Sequence, residues 1–488
     1  MRSLGVALLF AATGCAQLFG IDETTGGSDP TRVSLTMQRW SVGASVSKNP
    51  QDMSKEMGTF LVDDGAGGFT KLAAEHSAAD ELSAALDTGT PPILFSLPDQ
   101  TPFQRLWATP NRDRRGVFAA FEHANALAPM PNSEIMLSAT LPSGYASNES
   151  FRIEAVGAWM AYGLTAANLP APDLVNTAIS AMIPFMSFAK MTSFPAAAIT
   201  SQDVVVFERY VGNQLTGVYQ APPFDQTDGP DPITANVVGV PANKPLTAMI
   251  MPSTYSQRFS AVRPAVGALS QSWVVRAAPG WSIGSITGPL LYAGTPAATD
   301  TMIMTMFGNP FESLDWRSLL QYVAQENLTY MFMGTLALGL SAQLYVVAEP
   351  TGTLNFDMPA GLPINIRANQ TPLSTDGMMV MLDPAKPVEV DAITDKPAAT
   401  VYFVALYEVT MSADGMAAER HLLVDAVTTG EPKVKFPRDL FQTDHFYYFD
   451  FRTMQGGYLQ AAMGDLQTLT LPYQVSRADS AVFQVVAQ

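Results

Sequence analysis

From Val33 to the last residues, apolar side chains recur mostly at every second position. That is the period of a strand with one buried face. Val33, Leu35 and Met37 open the pattern, and Val388, Val390 and Ala392 repeat it against Glu389 and Asp391. The runs are short and separated by turn sequences. Thr59–Val62 and Phe69–Leu72 flank Asp63-Asp64-Gly65-Ala66-Gly67-Gly68, which predicts a hairpin. Pro91–Leu97 predicts a short strand, and Gln104–Thr109, Gly116–Phe121, Glu134–Leu141 and Phe151–Tyr162 predict a second group. Val401–Thr410 turns at Ser412-Ala413-Asp414-Gly415 into His421–Val427. The expected fold is all-β: several antiparallel β-sandwich modules, with one short helical connection.

Two segments need separate arguments. Leu328–Ala348 carries no charge over 21 residues, a length that can cross a bilayer. Its even positions from Leu328 to Ala348 are mainly apolar, whereas Thr329, Thr335, Ser341 and Gln343 fall on odd ones. A helix in lipid has no reason to alternate, so one or two antiparallel strands are predicted. Leu174–Met191 is the best helix candidate, apolar and rich in methionine, with Pro184 expected to kink it.

Turns and composition divide the chain into a β module at 32–98, a sandwich with the helical connection at 99–200, a sandwich at 201–355, and a final sandwich at 356–488. In the last, Phe441, Tyr447, Phe449 and Phe451 precede Gly456-Gly457. This stretch resembles the tyrosine-corner strand and following glycine turn of fibronectin type III-like and immunoglobulin-like domains. No fixed-period repeat is present, which argues against a propeller or solenoid.

Composition narrows the class. Among 488 residues there are 44 acidic and 27 basic side chains, a net charge of −17. Such a balance argues against nucleic acid or an anionic lipid surface as an electrostatic partner. A single cysteine rules out a disulfide framework and a cysteine-based zinc site.

That cysteine has an informative position. Arg2 precedes an apolar stretch, Leu4–Ala12, too short for a permanent span and suited to a signal peptide. Ala12-Thr13-Gly14-Cys15 resembles the lipobox of bacterial lipoproteins. The resemblance implies that residues 1–14 are removed and that Cys15 becomes the lipidated N-terminus, holding the protein on a membrane through acyl chains. Ala16, where inner-membrane lipoproteins often carry Asp, favours the outer membrane of a bacterial envelope. Residues 15–31 then form a flexible tether reaching on the order of 20 Å.

Candidate catalytic motifs are each outweighed by a plainer account. Gly280-Trp281-Ser282-Ile283-Gly284 matches the nucleophile elbow of hydrolases, but Gly288-Pro289 soon after opposes the helix that motif requires. Asp87-Thr88-Gly89-Thr90 matches the aspartic-protease loop without a second copy to supply the partner carboxylate. His76, His123, His421 and His445 are scattered. Asp225, Asp228 and Asp231 lack the spacing of a calcium loop. Six tryptophans could form a glycan face if exposed, but core packing is the default, as it is for the 25 methionines.

The expectation is therefore a non-enzymatic, lipid-anchored envelope protein with a binding, adhesion or structural role. It has no cofactor and no metal, and its possible partners are an envelope protein or a glycan. A glycan- or ligand-binding lipoprotein, or a hydrolase with a dispersed site, is the alternative.

Overall fold

The computed structural model describes residues 31–486 except 57, 65–67, 87–92, 97–103, 109–111, 124–127, 129, 159, 165–168, 170–177, 191–196, 263–268, 280–287, 296, 357–359, 397–400 and 468. The fold is all-β, with several antiparallel sheets. The uncharged segment supplies the tip and second strand of a hairpin in which Arg317–Phe332 pairs antiparallel with Leu336–Ala348, from Leu320 opposite Ala348 to Phe332 opposite Leu336. Tyr322, Ala324, Leu340, Ala342 and Leu344 point inward, as their alternation requires. Met333 and Gly334 reverse the chain with φ of 50° and 78°. That mirror-image turn matches the twist of paired strands.

This hairpin lies in the middle of a seventeen-stranded sheet. On one side Arg317–Phe332 pairs with Leu269–Ala278. On the other, Leu336–Ala348 pairs with Thr470–Asp479, which pairs with Phe446–Gly457. Val401–Met411 and Ala418–Thr428 continue the sheet, which ends on Gln104–Ala108. That last pairing is parallel, as are those of Arg32–Val42 with Asp113–His123 and of Glu134–Thr140 with Pro230–Asn236. The parallel pairs join strands distant in sequence, since parallel neighbours need a long connection.

The largest core draws on Leu61, Val156, Trp273, Tyr322, Phe356, Phe449 and Val485. A second places Val33, Leu35 and Met37 against Val347, Val401 and Tyr473. Hydrogen-bonded pairing and core packing thus both run across positions 98/99, 200/201 and 355/356.

Within Leu174–Met191, where a helical connection is expected, the described residues from Ala178 to Pro184 form a strand. Ala178–Pro184 pairs antiparallel with Glu134–Thr140 over seven positions, followed by a single 3-10 turn at Phe185–Ser187. Ile179, Ala181 and Ile183 are buried while Ser180 and Met182 are exposed, so period two prevails over composition. The α-helix among the described residues is Pro252–Val262. Its sequence is largely polar, and Tyr255 and Phe259 alone mark its buried stripe with Pro252 and Arg258. Arg258 fixes it to the next layer through a two-pronged bond to Asp395.

Near the start of Phe446–Gly457 the Tyr447 hydroxyl accepts the Gln442 N–H at 2.8 Å. Gly456-Gly457 does not form a turn. Both have positive φ inside Phe446–Gly457, where the register against Tyr473 and Thr470 shifts. A Cβ on Gly456 would lie 2.4 Å from the Pro472 carbonyl oxygen.

Candidate functional site

The densest group of charges grows from antiparallel register. Asp450 stands opposite Asp479 and Arg452 opposite Arg477, on Phe446–Gly457 and Thr470–Asp479. Asp450 therefore meets guanidinium groups both diagonally and along its own strand, and Asp479 meets one along its own strand. Arg452 Nε donates to Asp450 Oδ2 at 2.9 Å, and Arg477 Nε lies 2.9 Å from Asp450 Oδ1. Arg477 Nη2 is 3.3 Å from Asp479 Oδ1, and the Ser341 N–H donates to Asp479 Oδ2 at 2.8 Å. Both carboxylates are fully buried and both arginines partly so. Burial, then the charge of Asp450, pushes the Asp479 carboxyl up to about 6. Burial opposes the charge of Arg452, but Asp450 outweighs it and holds the guanidinium above its ordinary value.

A carboxyl near 6 has the range of a general acid or base. Asp479 lacks the access: its side chain is buried and both oxygens are engaged. Two negative and two positive groups neutralise one another, and the arrangement locks adjacent strands in register.

A second buried pair lies on Glu149–Val156 and Val204–Val211. Arg152 stands opposite Glu208, and its Nη2 is 2.9 Å from Glu154 Oε2 while its Nε is 3.9 Å from Glu208 Oε2. Burial, reinforced by the charge of Glu154, raises the Glu208 carboxyl well above its ordinary value. Two buried carboxyls around Arg152 disfavour full ionisation of both, and the neutral form of Glu208 is favoured. Glu208 projects on the same side as Val206 and Tyr210, within the main core, and does not reach solvent.

The residues singled out from sequence fare differently. Cys15, Ser282 and Asp87 lie outside the described residues. His421 and His445 come to one end of the sheet, on either side of Glu408. Glu408 is the register partner of His421, and its Oε1 is bonded to His445 Nδ1. His421 Nε2 is 2.9 Å from the Thr410 hydroxyl. His76 is exposed on a short strand, and nothing is described of the His123 side chain. The acidic loop does not converge: Asp225 accepts the Ser201 N–H, Asp228 the Asn132 N–H, and Asp231 the Thr227 N–H and hydroxyl. Among the described residues no group of three His, Cys, Asp or Glu is arranged to hold a metal ion. Trp40, Trp273 and Trp316, which are described, are buried.

No protein-family model matches the chain, and no curated protein is similar to it in sequence. Among solved structures, a tetra-tandem repeat from the extending region of a large adhesion protein is 11% identical. The match covers 92% of this chain and 97% of that one, with a TM-score of 0.13. The N-terminal four Ig domains of Dscam1 isoform 4.44 are 9% identical, over 94% and 98% of the two chains, with a TM-score of 0.12. At such scores neither likeness carries an argument about this protein.

What the sequence reading missed is the methionine surface. Met37, Met53, Met160 and Met454 are buried, but Met136, Met182, Met186, Met302, Met304 and Met306 are exposed, and so are Met379, Met381, Met411 and Met416. Methionine is here mainly a surface residue, contrary to its expected role as core filler. The signal was present in period two: Met302, Met304 and Met306 share one face of Thr301–Phe307, opposite the side that turns Phe307 into the core. The buried charges had a signal too. Glu208 falls on the inward beat of Val204, Val206 and Tyr210.

Proposed function

We propose that this is a lipid-anchored protein of the bacterial envelope with a non-catalytic role in binding a partner protein. The observation that carries the binding role is the outer face of the sheet formed by Ala178–Pro184, Glu134–Thr140 and Pro230–Asn236. Its rows read Pro184–Glu134–Pro230, Met182–Met136–Pro232, Ser180–Ser138–Thr234 and Ala178–Thr140–Asn236. Glu134 is the one charge on that face, in a chain whose net charge is −17. An exposed face with methionine at its centre suits contact with another protein, because thioether side chains adapt to the surface they meet. The burial of Trp40, Trp273 and Trp316 favours a protein over a glycan. The burial of Asp450 and Asp479 within ion pairs of the fold supports a non-catalytic role for these carboxylates.

Anchoring rests on the lipobox-like sequence at Cys15. Cys15→Ser is expected to move the protein from the membrane fraction to the soluble one, and retention in the membrane would overturn the anchor. For the binding role, photo-methionine incorporated in cells is expected to form cross-links from Met136 or Met182 to one defined envelope protein. Cross-links that avoid this face would overturn it.

A further inference from the structure

A different face carries a more specific chemistry. Thr301–Phe307 is the edge strand of a three-stranded sheet and pairs antiparallel with Lys244–Ile250, which pairs in turn with Thr353–Asn355. On the outer side Met306 stands opposite Pro245, Met304 opposite Thr247 and Met302 opposite Met249. Thr353 and Asn355 complete the face, beside Thr247 and Met249. It bears no charged residue. Met302, Met304 and Met306 are exposed, with Met304 at 77%, and Met249 is half-buried beside them.

Strand formation does not call for methionine at these positions, since β-branched and aromatic residues suit a pleated surface better. What methionine adds is a thioether. Opposed Cβ atoms lie about 5 Å apart, and next-but-one residues of a strand about 7 Å apart. Met249, Met302 and Met304 therefore form a small triangle of long side chains, each with enough rotatable bonds to swing its sulfur toward a common point. Met306 continues the row from Met304.

We infer that this face is a binding site for a soft monovalent cation, Cu(I) or Ag(I), held by the thioether sulfurs of Met249, Met302 and Met304. Thioethers select soft ions, whereas Zn²⁺, Ca²⁺ and Mg²⁺ need imidazole, thiolate or hard oxygen donors. The face offers no carboxylate, imidazole or thiolate. The net charge of −17 draws cations toward the molecule as a whole.

The test uses Ag(I), which stays in one oxidation state, and the full chain with ¹³C-methyl methionine. The first equivalent is expected to shift the methyl signals of Met249, Met302 and Met304 in a saturable way. A first equivalent distributed over Met136, Met182, Met379 and Met381, or one that leaves the triangle unmoved, would overturn the site. The variant Met249→Leu/Met302→Leu/Met304→Leu keeps size and apolarity but removes sulfur. It is expected to weaken the tightest Ag(I) binding by at least 100-fold, with Met379→Leu/Met381→Leu close to the parent. Undiminished binding in the triple variant would overturn the assignment. The methyl shifts require no substitution, so the inference stays testable if that variant does not fold.

Discussion

Glu326 sits on the inward side of Arg317–Phe332, opposite Leu269 and Ala342, and its Oε2 has no hydrogen-bond partner. Burial raises its carboxyl to about 7. The folded chain thus holds this proton more tightly than the unfolded chain, so stability falls as pH rises from about 4.5 to about 7. Asp479, raised to about 6, acts in the same direction. Glu326→Gln is expected to remove about 3 kcal/mol of the stability lost between pH 4 and pH 8, as read by urea unfolding at both values. At Asp450 the consequence of a substitution is larger. Asp450→Ala would leave Arg452 and Arg477 facing each other without the carboxylate between them, at a cost of about 3–5 kcal/mol, measured by chemical denaturation. These charges were visible in the sequence as interruptions of apolar alternation. Their pairing was not, because cross-strand register depends on which strands become neighbours.

At the scale of the element, alternation predicted well wherever a strand has one wet face. In the hairpin Arg317–Phe332/Leu336–Ala348, the part from Leu328 onward is legible residue by residue. The segment before Met191 has the apolar composition of a helix but the period of a strand, with Ile179, Ala181 and Ile183 alternating with Ser180 and Met182. The helix Pro252–Val262 was hidden because its stripe is short and includes a buried arginine. Exposure divides the methionines into two populations with different chemistry. Dilute peroxide is expected to convert Met304, Met379 and Met416 to sulfoxide well before Met37, Met53 and Met454, as read by peptide mass spectrometry. Close packing sets another limit at Gly294, opposite Trp273, where an added Cβ would fall 1.6 Å from the indole ring. Gly294→Ala should displace this tryptophan from Tyr292 and cost about 2–3 kcal/mol, with a red shift in tryptophan emission.

At the scale of the whole molecule, the main core contains residues from Leu61 to Val485. Local alternation marks individual strands but carries no sign that strands from distant segments share one sheet. Such packing should make the described parts of the chain melt together. Calorimetry is expected to give one dominant transition, and well-separated transitions matching 32–98, 99–200, 201–355 and 356–488 would contradict this expectation. The parallel pairing of Gln104–Ala108 with Val424–Thr428 has a temporal side as well. Synthesis at 5–20 residues per second separates the two strands by roughly 15–60 s. Throughout that interval Gln104–Ala108 has no edge of Ala418–Thr428 to join, so a nascent chain must keep it from other strands by some other means. Mistimed folding should therefore show first in this N-terminal region, as early protease cuts near Gln104.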